Sequence, residues 1–349
     1  MNQSRLLEDI KDQDRSLAQV LARQVGEGRS ALLSASVLLQ QATKVVITGI
    51  GASLHAAFPL QYELASQGLD CAIAESGELL HYQQKLCSGA VVVVVSRSGE
   101  SVEIVRLLSR INEIAAHTIG VTNEPTSTLA TTADVALTVG SLPDEIVAIQ
   151  SYTGTVAVLL LLAGAVAGEL DARHGELQAL LPRISSLIVA NVERIHEWDD
   201  FFKAGSPIYL MGRGPSYASA LEGALLFGET AKHPAIGIAA GTFRHGPVEI
   251  VDEDFRAIVF APNGKTRDLN LGLAKDLTRF GAKIRVVGQA DKGHDALPFI
   301  DIPEIPEKLS PLLDIIPVQL ASLRLAHLKG LEIGKFRYAP QVTRDEINL

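Results

Sequence analysis

Hydrophobic and polar residues follow two periods along this chain. Continuous apolar runs rich in β-branched residues, in KVVITG (44–49) and AVVVVV (90–95), suit strands of a parallel sheet covered on both faces. Each run ends in a Gly/Ser turn, GIGAS (49–53) and SRSGES (96–101), and the residues that follow return to helical spacing, predicting strand, turn and helix twice over. Shorter strands are predicted at TIGVT (118–122) and VALTV (135–139). Ahead of them, Leu17, Val20 and Leu21, then Leu32, Leu33, Val37 and Leu38, mark two lead-in helices broken by GEGRS (26–30). The most lipid-like stretch, TVAVLLLLAGAVAGEL (155–170), falls short of the roughly 18 apolar residues of a membrane span, so a buried helix is expected there.

The second half replays the first. PIYLMGRGPSYASALEGALLFGE (207–229) repeats the strand, G-x-G turn, serine and helix of the 45–68 segment. RAIVFAPNGKTRDLNLGLAKDL (256–277) matches the 90–111 unit, KIRVVG (283–288) matches TIGVTN, and LPFIDI (297–302) matches VALTV. Correspondences in the same order imply an internal duplication with a seam near 180–195. The expected fold class is α/β, with two tandem doubly wound, flavodoxin-like parallel sheets. The expected organisation is N-terminal helices over 1–42, a first domain over 43–188 and a second over 189–349.

Composition narrows the function classes. The chain has 349 residues, 47% of them hydrophobic, enough for two cores of ordinary size. With 31 basic and 40 acidic residues, a net of -9, neither nucleic acid nor an anionic membrane is an expected partner. Cys71 and Cys87 are the only two cysteines and show no metal-ligand spacing, so no metal and a reducing cytoplasm are expected. The N-terminus has acids scattered through it and no apolar core, unlike a signal peptide.

The turns carry the candidate chemistry. In an open parallel sheet, ligands bind at the carboxyl ends of strands, where a helix start offers unpaired N–H groups to an anion. Ser96, Ser98 and Ser101 on one such turn, with Ser53 on the neighbouring one, form a candidate phosphate cradle. A lone serine there is more often a helix cap, and three within six residues beside a second Gly-Ser turn shift the balance to a ligand. Neither turn matches a P-loop or a complete dinucleotide fingerprint, so no nucleotide cofactor is expected. The corresponding turn of the second half, APNGKT (261–266), lacks the serines. That half instead places Glu229 at a helix end and His245 in a Gly-bounded loop, joined by a Gly- and Ala-rich linker that is expected to bury little surface. Asp144 and Glu145 precede a long apolar helix and suit capping, while Trp198 and Tyr209 suit packing.

SRSGES, EIVAIQSYTGT, ALEGALLFGE and GTFRHGP resemble the motifs of sugar isomerase (SIS) domain proteins in their double-domain form, the family that includes the isomerase half of glucosamine-6-phosphate synthase. The resemblance runs from about residue 40 to the C-terminus. It implies that Ser53, Ser96, Ser98 and Ser101 hold a sugar phosphate, with main-chain contact from Arg97 and further substrate contacts at Gly51, Ala52 and Gln150. It also implies that Glu229 moves a proton between C1 and C2 and that His245 opens the sugar ring from the other subunit of a homodimer. Such chemistry needs a carboxylate beside the carbon acid and a separate acid/base with a near-neutral pKa.

The chain departs from the family's synthases at several points. It begins Met1-Asn2, without the cysteine nucleophile and glutaminase domain, so it is expected not to make ammonia from glutamine. Where the family's tail places a Schiff-base lysine before a Val-Thr pair, RYAPQVTRDE has Gln341. Where the family has a Ser/Thr-Lys pair after Val-Ala, the chain has Gln150 and Ser151. The Glu and His steps remain, so the expected function is an amino sugar 6-phosphate isomerase/deaminase. A ketosamine-6-phosphate deglycase and a non-catalytic sugar-phosphate sensor are the alternatives. A sensor needs neither Glu229 nor His245.

Overall fold

The computed structural model describes residues 4–203, 207–290, 293–294, 296–338 and 342–347. Three helices come first, α1 (Arg5–Lys11), α2 (Gln13–Val25) and α3 (Arg29–Gln41). Then follow β1 (Val45–Gly49), α4 (Ala52–His55), α5 (Phe58–Ser66), β2 (Cys71–Glu75), α6 (Ser76–His81), β3 (Val91–Val95) and α7 (Val102–Ile111). The first half closes with β4 (His117–Thr122), α8 (Thr128–Thr132), β5 (Val135–Thr138), α9 (Gln150–Val166) and α10 (Leu170–Gln178). The second half holds α11 (Leu181–Glu193), β6 (Ile208–Gly212), α12 (Ser216–Ala231), β7 (Ala235–Ala239), α13 (Ala240–Arg244) and β8 (Arg256–Ala261). It ends with α14 (Arg267–Arg279), β9 (Lys283–Gly288), β10 (Phe299–Asp301) and α15 (Pro311–Leu328).

Both sheets are five-stranded and parallel, ordered β2-β1-β3-β4-β5 and β10-β9-β8-β6-β7. Read from the β7 edge, the second order repeats the first, and both follow the flavodoxin-like pattern whose crevice lies at the first and third strands. The chain divides into two compact units: residues 13–181 with 336–349, and residues 1–12 with 182–335. Each compact unit takes in a distant terminal segment, which no local pattern announces.

Every residue of β1 and β3 is buried, as their uninterrupted apolar runs require. Val92 and Val94 of β3 meet Ile104, Leu107, Leu108 and Ile111 on the apolar face of α7. Every residue of α9 is buried too, packed among α2, α3, α5 and α10, which explains a helix that is hydrophobic all round. The only helix apolar and long enough to cross a membrane among the described residues is the continuous 307–328 segment ending in α15, and 94% of its apolar window is buried inside the protein.

Sequence pattern and structure differ at the sheet edges. The stretch after GIGAS, expected to be one helix, breaks into α4 and α5, with Pro59 seated in the first turn of α5, where a missing N–H costs nothing. β2 and β7 escape the apolar-run criterion because their small residues are half exposed at an edge. The Gly/Ala linker before His245 forms β7 and α13. A Cβ on Gly237 would lie 2.7 Å from the Ala220 carbonyl oxygen of α12, so the small residues let helix and edge strand pack backbone to backbone.

Candidate active site

In the first unit, β1 and β3 are neighbours, and their two turns emerge side by side at the carboxyl edge. Gly51 adopts φ +53° at the N-cap of α4, so the chain can turn within two residues and leave Ala52 and Ser53 half-buried at the helix start. The Arg97 N–H donates to Ser53 Oγ at 3.3 Å, tying one turn to the other. Ser96 is 5% exposed and its Oγ accepts from Gly99 N at 3.1 Å, while Ser98 Oγ accepts from Glu100 N at 3.3 Å.

Ser101 occupies the N-cap of α7, and its side chain makes no capping hydrogen bond. The capping account of this serine, the ordinary one for its position, therefore does not hold. Its hydroxyl stands beside the positive end of a ten-residue helix. Gly99, at φ +63°, shapes the turn: a Cβ there would sit 2.2 Å from Ser127 Oγ.

Behind this turn, Asp144 organises the start of α9. Its carboxylate accepts from Gln150 N at 2.7 Å, from Ser151 N at 3.0 Å and from Ser151 Oγ. Burial pushes the Asp144 carboxyl up, against the pull of those donors and of Arg97. Capping is thus its structural role. Gln150 is 2% exposed; its Nε2 donates to the Pro143 carbonyl at 3.3 Å, and its buried Oε1 has no hydrogen-bond partner. Gln341 lies outside the described residues.

In the other unit, Glu229 is half-buried on the last turn of α12. That helix ends at Lys232 in the left-handed conformation, φ 48°, the only non-glycine with positive φ among the described residues. The Lys232 ammonium donates to the Glu229 carbonyl oxygen, and Lys329 Nζ donates to the Ala231 and Lys232 carbonyls at 2.8 and 2.9 Å. Two cations thus close the end of the helix that carries Glu229. His245 caps α13 and is exposed, followed by Gly246 at φ 130°. Its loop is held by the Arg244–Asp276 ion pair at 3.0 Å, which fastens α13 to α14. Trp198 stacks on Phe202, and Tyr209 on Phe255, as packing residues.

Two chemically notable residues were missed in the sequence. Asp314 appears there as a lone acid in SPLLDIIPVQ, and it proves to be fully buried in the first turn of α15. Its carboxylate accepts from Ser216 Oγ at 2.6 Å and from Ser219 Oγ of α12. Arg344 carries no local signal at all, and reaches the cradle's surroundings only through the path of the tail.

The SIS domain model matches residues 38–165 and 200–329. The glutamine–fructose-6-phosphate aminotransferase [isomerizing] of Pyrococcus horikoshii is 27% identical over 332 residues, 93% of this chain and 55% of that protein. The chain therefore spans about half the length of the curated relatives it matches. Among solved structures, the C-terminal domain of glucosamine-fructose-6-phosphate aminotransferase from Francisella tularensis superposes with a TM-score of 0.83 at 22% identity, over 95% of this chain and 98% of that one. Glucosamine-6-phosphate deaminase from Thermotoga maritima does so with a TM-score of 0.77 at 21% identity, over 97% and 99%. The matches to the domain model cover most of the chain and include both sheets with their strand-end turns, so this protein belongs to the SIS domain family.

Proposed function

We propose that this chain is a phosphosugar isomerase/deaminase that acts on an amino sugar 6-phosphate and releases ammonia. The observation that carries the reading is the serine cradle: Ser101 stands at its helix N-cap without capping it, beside turns already joined by Ser53. An arrangement of hydroxyls and N–H groups around a helix start suits a phosphate monoester.

In this reading His245 assists ring opening by moving a proton between the C1 hydroxyl and the ring oxygen. Glu229 then takes the C2 proton and returns it to C1. The double bond passes from C1–O to C2–N, and water attacks C2 of the resulting imine, so the products are a ketose 6-phosphate and ammonia. The protein works as a homodimer, with His245 reaching the active site of the partner copy. Its exposure in the single chain is consistent with that role.

The test is purified protein with glucosamine 6-phosphate and, separately, fructoselysine 6-phosphate, assayed for ammonia, lysine and hexose phosphates. Ammonia release that falls about 10²–10⁴-fold in Glu229→Gln, with sugar-phosphate binding kept in a thermal-shift assay, is the expected result. Lysine release would replace deamination with deglycation. Binding without turnover of either compound would leave a sensor. Mixing Glu229→Gln and His245→Asn subunits restores activity only if the histidine crosses between copies.

A further inference from the structure

The C-terminal tail returns to the unit that holds the cradle and is fastened there at two points. The Thr343 carbonyl oxygen accepts from Val102 N at 3.0 Å, using one of the N–H groups that α7 leaves open at its first turn. Three residues on, Glu346 pairs with Arg106 of α7 and lies 3.2 Å from His81 Nε2 at the end of α6.

Between the anchors, Arg344 lines a cavity of about 330 Å³ that shares Arg97 and Ser98 with the cradle. Glu100, Glu124 and Asp144 also face this cavity, so charge alone does not say what fits it. Hydrogen bonding decides. Glu100 spends both oxygens on Thr128, on its N–H and, at 3.0 Å, on its Oγ1. Asp144 spends both on the start of α9. Glu124 and Arg344 are both exposed, at the rim. Among the described residues Arg344 pairs with no carboxylate and its guanidinium has no hydrogen-bond acceptor. Two charged side chains are therefore left uncommitted among the described lining residues, the Glu124 carboxylate and the Arg344 guanidinium, and of the two only the guanidinium can donate to an anion held by the serine hydroxyls.

We infer that Arg344 is a substrate-binding residue: the anchored tail delivers its guanidinium to the phosphate group of the sugar phosphate, beside Ser98, and supplies positive charge that the serine hydroxyls lack. An arginine suits this task because its planar fork matches two phosphate oxygens at once. The inference rests on the sugar-phosphate reading of the cradle but not on any catalytic step.

The experiment is titration calorimetry of glucosamine 6-phosphate, with glucosamine as the unphosphorylated control, on wild type, Arg344→Ala, Arg344→Lys and Glu124→Gln. In Arg344→Ala the dissociation constant for the phosphorylated sugar rises about 10–100-fold and becomes less sensitive to salt. Arg344→Lys recovers part of the loss, and Glu124→Gln binds somewhat tighter than wild type. Thermal unfolding of the Arg344 variants stays at the wild-type temperature, and any turnover is lost through KM with kcat within about twofold. A dissociation constant for Arg344→Ala within twofold of wild type overturns the inference while leaving the isomerase/deaminase reading intact. Equal weakening toward glucosamine also overturns it. If wild type binds the phosphorylated sugar and does not convert it, the reaction is wrong and the ratio of dissociation constants still decides the role of Arg344. If wild type binds no phosphorylated sugar, both fall.

Discussion

Asp314 offers a perturbation whose size follows from its surroundings. The carboxyl is fully buried between α12 and α15, and burial pushes it from its ordinary 3.8 up to about 7 despite donors from Ser216 and Ser219. Its folded-state value lies above its unfolded one. Between about pH 4 and pH 7 the native protein therefore holds a proton that the unfolded chain has released, and stability falls as pH rises through that window. Raising the carboxyl from 3.8 to about 7 corresponds to about 4 kcal/mol of stability lost above pH 7 relative to pH 4. Asp314→Asn keeps the shape and a polar partner for each serine without the charge. Urea unfolding of both proteins from pH 5 to pH 8.5, followed by far-ultraviolet circular dichroism, isolates the contribution of this carboxyl, because other titrations cancel in the difference. The variant's advantage over wild type grows by about 2–3 kcal/mol between pH 5 and pH 8.5. A difference that stays flat across that range refutes the assignment of a buried, titrating carboxyl to this position.

Two further outcomes are accessible to simple assays. Gly99→Ala places a side chain at φ +63° and drives its Cβ toward Ser127, so it destabilises by about 1–3 kcal/mol in denaturant and weakens sugar-phosphate binding, read by thermal shift. Burial raises the Cys71 thiol to about 12 and Cys87 to about 11, so in native protein at pH 8 both react with a disulfide reagent at least roughly a hundredfold more slowly than a free thiol, and at the ordinary rate after unfolding in urea.

The strand-turn-helix units were legible because a strand buried on both faces must be apolar at every position. AVVVVV and KVVITG could hardly be anything else. The same reasoning found both sheets and their repeat. It missed β2 and β7, since an edge strand is half exposed and CAIAE and AIGIA are chosen for close approach, with Gly237 against Ala220, more than for hydrophobicity. The serine turn was legible as composition at a strand end. Whether Ser101 caps its helix was not, because a rotamer decides it.

The sequence by itself determined the local elements, the doubling of one topology and the residue types at each strand end, because periodicity and turn chemistry act over a few neighbouring positions. Tertiary structure alone decided which distant groups meet. Ser53 reaches Arg97 across parallel strands, Asp314 of α15 is buried against serines of α12, and the tail carries Arg344 back to a turn more than 240 residues earlier in the chain. Such contacts arise from the packing of whole elements, and no spacing within a single segment encodes them.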